Sequence, residues 1–129
     1  MKAPLIPISW GELFDKLTIL QIKLENLQDQ NALNNVKIEY DELFKIFNNN
    51  FLEDDNAIRL LADLKNINKI LWNIEDDIRD KERHKTFDEE FIELARSVYI
   101  TNDERSRIKR NINNTFGSEL IEEKSYSDY

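Results

Sequence analysis

Cysteine is absent from the 129-residue chain, and glycine and proline occur only twice each. Without cysteine the protein has no disulfide, no thiolate nucleophile and no cysteine-ligated metal centre. Pro4 and Pro7 both precede the first periodic segment, so the rest of the chain has few residues that favour β-hairpin turns. The scarcity of turn-forming residues predicts a helical protein.

Two further scarcities restrict the possible functions. His84 is the only histidine, which leaves little for a histidine-based metal site or a proton relay. No apolar stretch is long enough to span a bilayer, and residues 1–8 lack the apolar segment of a secretory signal. We therefore expect a cytoplasmic protein that uses no metal and no cofactor and does not contact membranes.

Acidic residues outnumber basic residues by 26 to 18, and the net charge is −8. An excess of negative charge disfavours a general affinity for nucleic acid, so nucleic acid is not an expected partner. The length suits a single domain with one hydrophobic core. We predict an all-α, single-domain helical bundle over residues 1–129, with an N-terminal extension at 1–8 and a C-terminal tail at 118–129 that packs back.

Hydrophobic periodicity predicts four to five helices, one of them long and central. The predicted helices cover Trp10–Asp29, Asn34–Phe47, Asn56–Arg83 and a last region from Thr86 or Asp88 to about Thr115. In the third helix, apolar residues recur from Leu60 to Ile78 at spacings that alternate between four and three residues, without a break. Its length of about 40 Å favours a homodimer.

Capping signals refine these boundaries. Ser-x-x-Glu or Thr-x-x-Glu patterns begin at Ser9, Thr86 and Thr101 and predict three helix starts. The pattern at Thr101 predicts a break near Thr101–Asn102, where the free N–H groups of a new helix would favour an anion. Gly117 is the expected residue just past the last helix.

Several charged residues lie beside the apolar seams and not on the opposite, solvated faces. They are Glu12, Lys16 and Lys23 on the first helix, Glu75 and Arg79 on the third, and Arg105 and Lys109 on the last. If the seams converge in one bundle, cations from separate helices can clamp an anionic ligand. The alternative is a set of structural ion pairs at the edge of a small core.

Carboxylate pairs on helices could also hold Mg²⁺. Glu12 and Asp15 form an E-x-x-D pair, and Glu39 and Glu42 form an E-x-x-E pair. Helical nucleotide pyrophosphohydrolases use such pairs in the opposite chain order. In a chain this acidic the pairs are expected by chance, and we predict no metal site.

Four segments resemble the signature of an uncharacterised family of short bacterial and viral proteins. They read SWGELFDKLTIL from Ser9, LWNIED from Leu71 and LARSVYITNDERSRIK from Leu94, and EEKSY follows from Glu122. The resemblance covers nearly the whole chain, with residues 31–56 outside the signature. It implies a domain of unknown function and a context near cell-surface polysaccharide synthesis, and it implies no reaction.

The resemblance and the periodicity together predict a site for a small anionic ligand, phosphorylated or carboxylated. The predicted ligand-binding residues are Lys16, Lys23, Trp72, Arg79, Arg96, Tyr99, Asn102, Arg105, Lys109, Lys124 and Tyr126. The catalytic candidates are Glu12, Asp15 and Glu75, and Lys124 and Tyr126 would form a lid. Two alternatives stay open at this point. One is an all-α isomerase of the chorismate mutase kind, and the other is a structural or adaptor protein without a ligand site.

Overall fold

The structure is a computed structural model that describes all 129 residues. It contains four α-helices and no strand, and these are α1 (Trp10–Asn26), α2 (Gln30–Phe51), α3 (Asp55–Arg83) and α4 (Glu89–Thr115). The predicted all-α, single-domain bundle is confirmed, with four helices. No helix combines the length and the apolar character that crossing a membrane requires.

A side-chain acceptor caps the start of every helix. Ser9 Oγ accepts from the backbone N–H of Glu12 at 3.1 Å, as the first capping pattern predicts. Asp29, Asp54 and Asp88 cap α2, α3 and α4 in the same way. The predicted cap at Thr86 is wrong, because Asp88 accepts from the first turn of α4 in its place.

The boundary between the first two helices differs from the predicted one, and so does the end of the second helix. The first helix ends at Asn26 and not at Asp29, since Asp29 is needed as the cap of α2. α2 then runs to Phe51, through an asparagine-rich stretch that we predicted would end it. Phe47 and Phe51 lie one turn apart and are both buried, and their packing outweighs the modest helix propensity of asparagine.

The predicted break at Thr101–Asn102 is also wrong, because α4 continues without interruption. Asn102 accepts a hydrogen bond from Arg105 Nη1 at 3.1 Å, and α4 packs against α3 along this stretch. The free helix N-terminus expected here as an anion site is therefore absent. Gly117 does follow the last helix as predicted, with φ of 59° and a bond from Ser118 N–H to the Asn113 carbonyl at 2.8 Å.

The hydrophobic core lies where α1 crosses the other three helices. It consists of Leu13, Phe14, Leu17, Phe47, Phe51, Ala57, Leu60, Leu64 and Ile112. Phe14 is fully buried and contacts Phe47 and Phe51 edge-on, with ring centroids 5.2 and 5.3 Å apart. The core therefore uses the first half of α3 and only the end of α4.

The remaining parts of α3 and α4 extend away from this core as a helical hairpin. No residue from Lys69 to Ile108 is buried. We call residues 73–98 the helical arm, and neither α1 nor α2 makes a hydrogen bond or ion pair with it. Its apolar seam is only half-buried, because the two helices have no third element to cover them.

Candidate functional site

A buried carboxylate joins three of the four helices. The side chain of Asp15 in α1 is only 2% exposed. Its Oδ1 accepts from Asn68 Nδ2 of α3 at 2.9 Å and from Arg105 Nε of α4 at 2.9 Å, and its Oδ2 accepts from Arg105 Nη2. Arg105 thus holds Asp15 in a two-pronged ion pair, the strongest form of this contact.

The close approach of α1 to α4 makes this ion pair possible. A Cβ atom at Gly11 would lie 2.6 Å from the carbonyl oxygen of Lys109, closer than non-bonded atoms can sit. The Gly11 N–H donates to Asn113 Oδ1 at 2.7 Å and satisfies a donor left free at the helix start. Glycine at this position lets the helices cross closely enough for Asp15 to reach Arg105.

Lys109 forms a second polar centre one turn farther along α4. Its side chain is 8% exposed, and its Nζ lies 3.1 Å from Glu12 Oε2 and 3.2 Å from Glu122 Oε2. Asp15 Oδ2 is 3.9 Å away. Three carboxylates therefore share this one buried ammonium, and two of them accept its hydrogen bonds.

A groove opens beside the Asp15–Arg105 pair, at the junction between the core and the helical arm. Its volume is about 450 Å³, and its lining comes from α1, α3 and α4. The lining residues are Ile19, Ile22, Asn68, Leu71, Trp72, Glu75, Asp76, Arg79, Val98, Asn102 and Arg105. An apolar floor, one indole ring, two carboxylates and two guanidinium groups therefore share one cavity.

Arg105 contributes the best-positioned donor to this groove. Asp15 raises the pKa of the guanidinium above its usual value by hydrogen bonding, so Arg105 stays charged. Nη1 also donates to Asn102 Oδ1. Each Nη nitrogen carries a second N–H for which the protein provides no acceptor. The guanidinium is held rigidly by Asp15 while part of its donor capacity remains available.

The C-terminal tail packs back along α4 through charged contacts. The backbone N–H of Trp10 donates to Ser118 Oγ at 3.2 Å, which ties the start of the tail to α1. Glu122 then pairs with Lys109 and, at 2.9 Å, with Lys124. Lys124 lowers the pKa of the Glu122 carboxyl, and Lys109 adds to the effect. The tail therefore packs back on α4 as predicted, and ion pairs hold it there.

The structure separates the predicted site residues into four groups. Trp72, Glu75, Arg79, Asn102 and Arg105 line the groove. Glu12, Asp15 and Lys109 belong to the buried network behind it. Tyr99, Lys124 and Tyr126 line a different cavity beside the tail, which Asn102 also borders. Lys16, Lys23 and Arg96 reach neither the groove nor the network core.

Each of the three outlying residues has a different environment. Lys16 is an exposed partner of Glu12, with 4.0 Å between Nζ and Oε1. Lys23 is half-buried and makes no ion pair. Arg96 is exposed on the arm and pairs with Glu93, three residues earlier. Periodicity alone could not separate these residues from the others, because it places a side chain on a face and not at a depth.

The sequence analysis missed three polar residues that complete the buried network: Asn68, Thr18 and Asn113. Asn68 donates to both Asp15 Oδ1 and Thr18 Oγ1. A usable signal existed in its spacing, since Asn68 lies four residues after Leu64 and three before Leu71. Asn68 follows Ile67, the seam residue between Leu64 and Leu71, so it lies on the border of the seam and faces the other helices. No group of histidine, cysteine, aspartate or glutamate side chains is arranged to hold a metal ion.

Residues 4–129 match the family of unknown function DUF6165. The chain belongs to this family. The match spans the whole network, the groove and the tail, so these features all lie within the family's domain. No curated protein and no solved structure matches the chain significantly.

Proposed function

We propose that the groove between α1, α3 and α4 binds a small anionic ligand, with a phosphorylated sugar as the best chemical fit. The observation that carries this proposal is the shared lining of one cavity by Trp72, Arg79, Asn102 and Arg105. Two guanidinium groups match the oxygens of a phosphate, and an indole ring offers a flat surface for an apolar sugar face.

The charge balance of the groove favours a ligand that carries both an anionic group and hydroxyl groups. Glu75 and Asp76 line the cavity together with Arg79 and Arg105, so these four charges sum to zero. A bare dianion would meet both carboxylates. A sugar phosphate suits both the carboxylates and the guanidinium groups of the groove. Its hydroxyls donate to carboxylates, and its phosphate accepts from guanidinium groups.

Arg79 can exchange its present partner for a ligand with little loss of free energy. It pairs with Glu75 at 3.2 Å, four residues earlier in the same helix, and its side chain is 75% exposed. Ion pairs of this kind contribute at most about 0.5 kcal/mol. A bound phosphate could replace Glu75 as the partner of Arg79, and Glu75 is the one catalytic candidate that reaches this cavity. Surface-polysaccharide synthesis, the context suggested by the resemblance, uses ligands of this class.

Tryptophan fluorescence tests the proposal directly. The Trp10→Phe variant leaves Trp72 as the only indole, and Trp72 lies in the groove. Titration with glucose 1-phosphate and with other hexose phosphates should change the Trp72 emission in a saturable way. Glucose at the same concentrations should change it much less, since it lacks the anion.

Arg79→Ala should weaken this binding at least about tenfold, the effect of losing one charge-assisted hydrogen bond. Arg83→Ala is the matched control, because Arg83 pairs with a carboxylate on the same helix and does not line the groove. Equal affinities in the two variants, or no response of Trp72 to any hexose phosphate, would contradict the proposal.

Two observations favour the adaptor alternative. Lys109 and most of Arg105 are already paired within the protein, and the arm carries exposed apolar residues such as Phe87 and Ile92. This reading gives the paired charges a structural role. It predicts that Phe87→Ala abolishes binding to a protein partner, whereas Arg79→Ala does not. Cross-linking in cells that produce this protein distinguishes the two variants.

A further inference from the structure

A second cavity, of about 880 Å³, lies between α4 and the C-terminal tail. We propose that it is a binding site for a neutral saccharide, separate from the anion groove. Three tyrosines line it: Tyr99 from α4, and Tyr126 and Tyr129 from the tail. Their side chains are accessible, since Tyr126 and Tyr129 are 75% and 80% exposed.

Two of the three rings, those of Tyr99 and Tyr129, are already held in place. Tyr129 Oη donates to Asp103 Oδ2 at 2.7 Å, and this hydrogen bond raises the pKa of Tyr129. The rings of Tyr99 and Tyr129 meet edge-on with centroids 5.1 Å apart. Lys124 Nζ lies 6.0 Å from the centre of the Tyr126 ring. The aromatic walls therefore do not need to be assembled by the ligand, which lowers the entropic cost of binding.

Most of the charges around this cavity already have partners. Lys124 pairs with Glu122, Arg107 pairs with Glu104, and Asp103 accepts from Tyr129. A charged ligand would have to compete with these contacts. Asp128 makes no ion pair, and its carboxylate lines the cavity as a free acceptor. The cavity thus offers aromatic faces and hydrogen-bonding groups without an unbalanced cluster of charge.

These properties fit a neutral sugar better than an anion or an amine. A pyranose ring has apolar C–H faces that stack on tyrosine, and hydroxyls that donate to carboxylates and amides. An anion would meet Asp128 and Asp103, and an amine would meet Arg107 and Lys124. The site is also adjacent to the groove, because Val98 and Asn102 of α4 line both cavities.

The test uses the 129-residue chain and compares oligosaccharides that carry an anionic group with oligosaccharides that carry none. A labelled sample is screened on an array of neutral and acidic oligosaccharides, and each neutral binder is then titrated by saturation-transfer NMR. We expect binding to neutral glycans. Tyr126→Ala should weaken that binding about tenfold, whereas Tyr126→Phe should retain it, since the ring and not the hydroxyl carries the contact.

The controls separate this inference from the proposed function. Phe87→Ala removes an exposed aromatic ring outside the cavity and should leave glycan binding unchanged. Arg79→Ala should weaken sugar-phosphate binding in the groove and spare neutral glycans. Thermal unfolding of Tyr126→Ala should match that of the unmodified chain, because the Tyr126 side chain is largely exposed. Binding restricted to acidic glycans, no binding to any neutral glycan, or equal affinity in Tyr126→Ala would overturn the inference.

Discussion

The two long helices, α3 and α4, run through both the core around α1 and the helical arm, yet different contacts hold the two regions together. In the core, the ion pair between Asp15 and Arg105 joins residues 90 positions apart, and Leu64 is fully buried. In the arm, ion pairs such as Glu75–Arg79 link residues one turn apart on the surface. Between the two helices of the arm, Lys81 of α3 pairs with Glu90 of α4 at 3.0 Å. Only the core adds fully buried contacts that fix the relative positions of helices.

This difference explains where the groove lies. One of its walls carries Arg105, which the buried network holds rigidly. The opposite wall carries Glu75 and Arg79, which belong to an arm with no buried residue. Regions with few buried contacts open at lower free energy than a core does. A ligand in the groove would contact one cation whose position is fixed, Arg105, and one whose position can adjust, Arg79.

The largest expected effect comes from comparing a leucine of the core, on α3, with a leucine of the arm, on α4. Leu64→Ala in the core should lower the free energy of unfolding by about 3–4 kcal/mol, because the side chain is fully enclosed. Leu94→Ala in the arm should cost about 1 kcal/mol, since that side chain is only half-buried. Urea unfolding measures both. Equal losses would show that the arm is as tightly packed as the core.

Asp15→Asn should produce the next largest effect, a loss of about 3 kcal/mol, since it leaves the half-buried Arg105 and the buried Lys109 without the carboxylate they share. The double variant Asp15→Asn/Arg105→Met should lose less than the sum of the two single changes. Urea unfolding of all three variants measures this coupling. Asp76→Asn is the control from the arm and should change stability by less than about 0.5 kcal/mol. Additive losses would mean that the ion pair does not couple α1 to α4.

Gly11→Ala should cost about 1–3 kcal/mol, because its new methyl group would overlap the Lys109 carbonyl oxygen. Gly117→Ala gives the comparison, since Gly117 has nothing within 4 Å and only its φ of 59° opposes the change. That strain is about 1 kcal/mol. The midpoint of thermal unfolding should fall further for Gly11→Ala. The reverse order would place the tight helix crossing elsewhere.

The smallest expected effect is the pH response of the tail. The folded-state pKa of Glu122 lies below its ordinary value of 4.5, so its ion pairs stabilise the folded protein above that pH. This contribution is lost as the pH falls through the lowered pKa. NMR titration of the Glu122 carboxyl should give a pKa below 4.5, and Lys124→Gln should move it upwards. No change in Lys124→Gln would exclude the tail ion pair as the cause.

Much of the fold could be predicted because helix formation depends on local patterns. The apolar spacing in α3 predicted its start to within one residue and its end at Arg83. Gly117 and Ser9 marked helix ends for reasons confined to a few neighbouring residues. The predicted break near Asn102 failed because a contact with Arg105 and packing against α3 replaced the local signal.

Local patterns in the chain were enough to predict an acidic, all-helical domain. They also placed Arg105 and Lys109 beside apolar seams and made Asp15 a catalytic candidate. Only the tertiary structure decided how deep each charge lies and which partner it takes. It buried Asp15 against Arg105, gave Lys109 to Glu12 and Glu122, and left Arg79 in the groove. The physical reason is that periodicity sets the direction of a side chain around one helix. The distance between two helices depends on contacts that are far apart in the chain, such as Gly11 against Lys109.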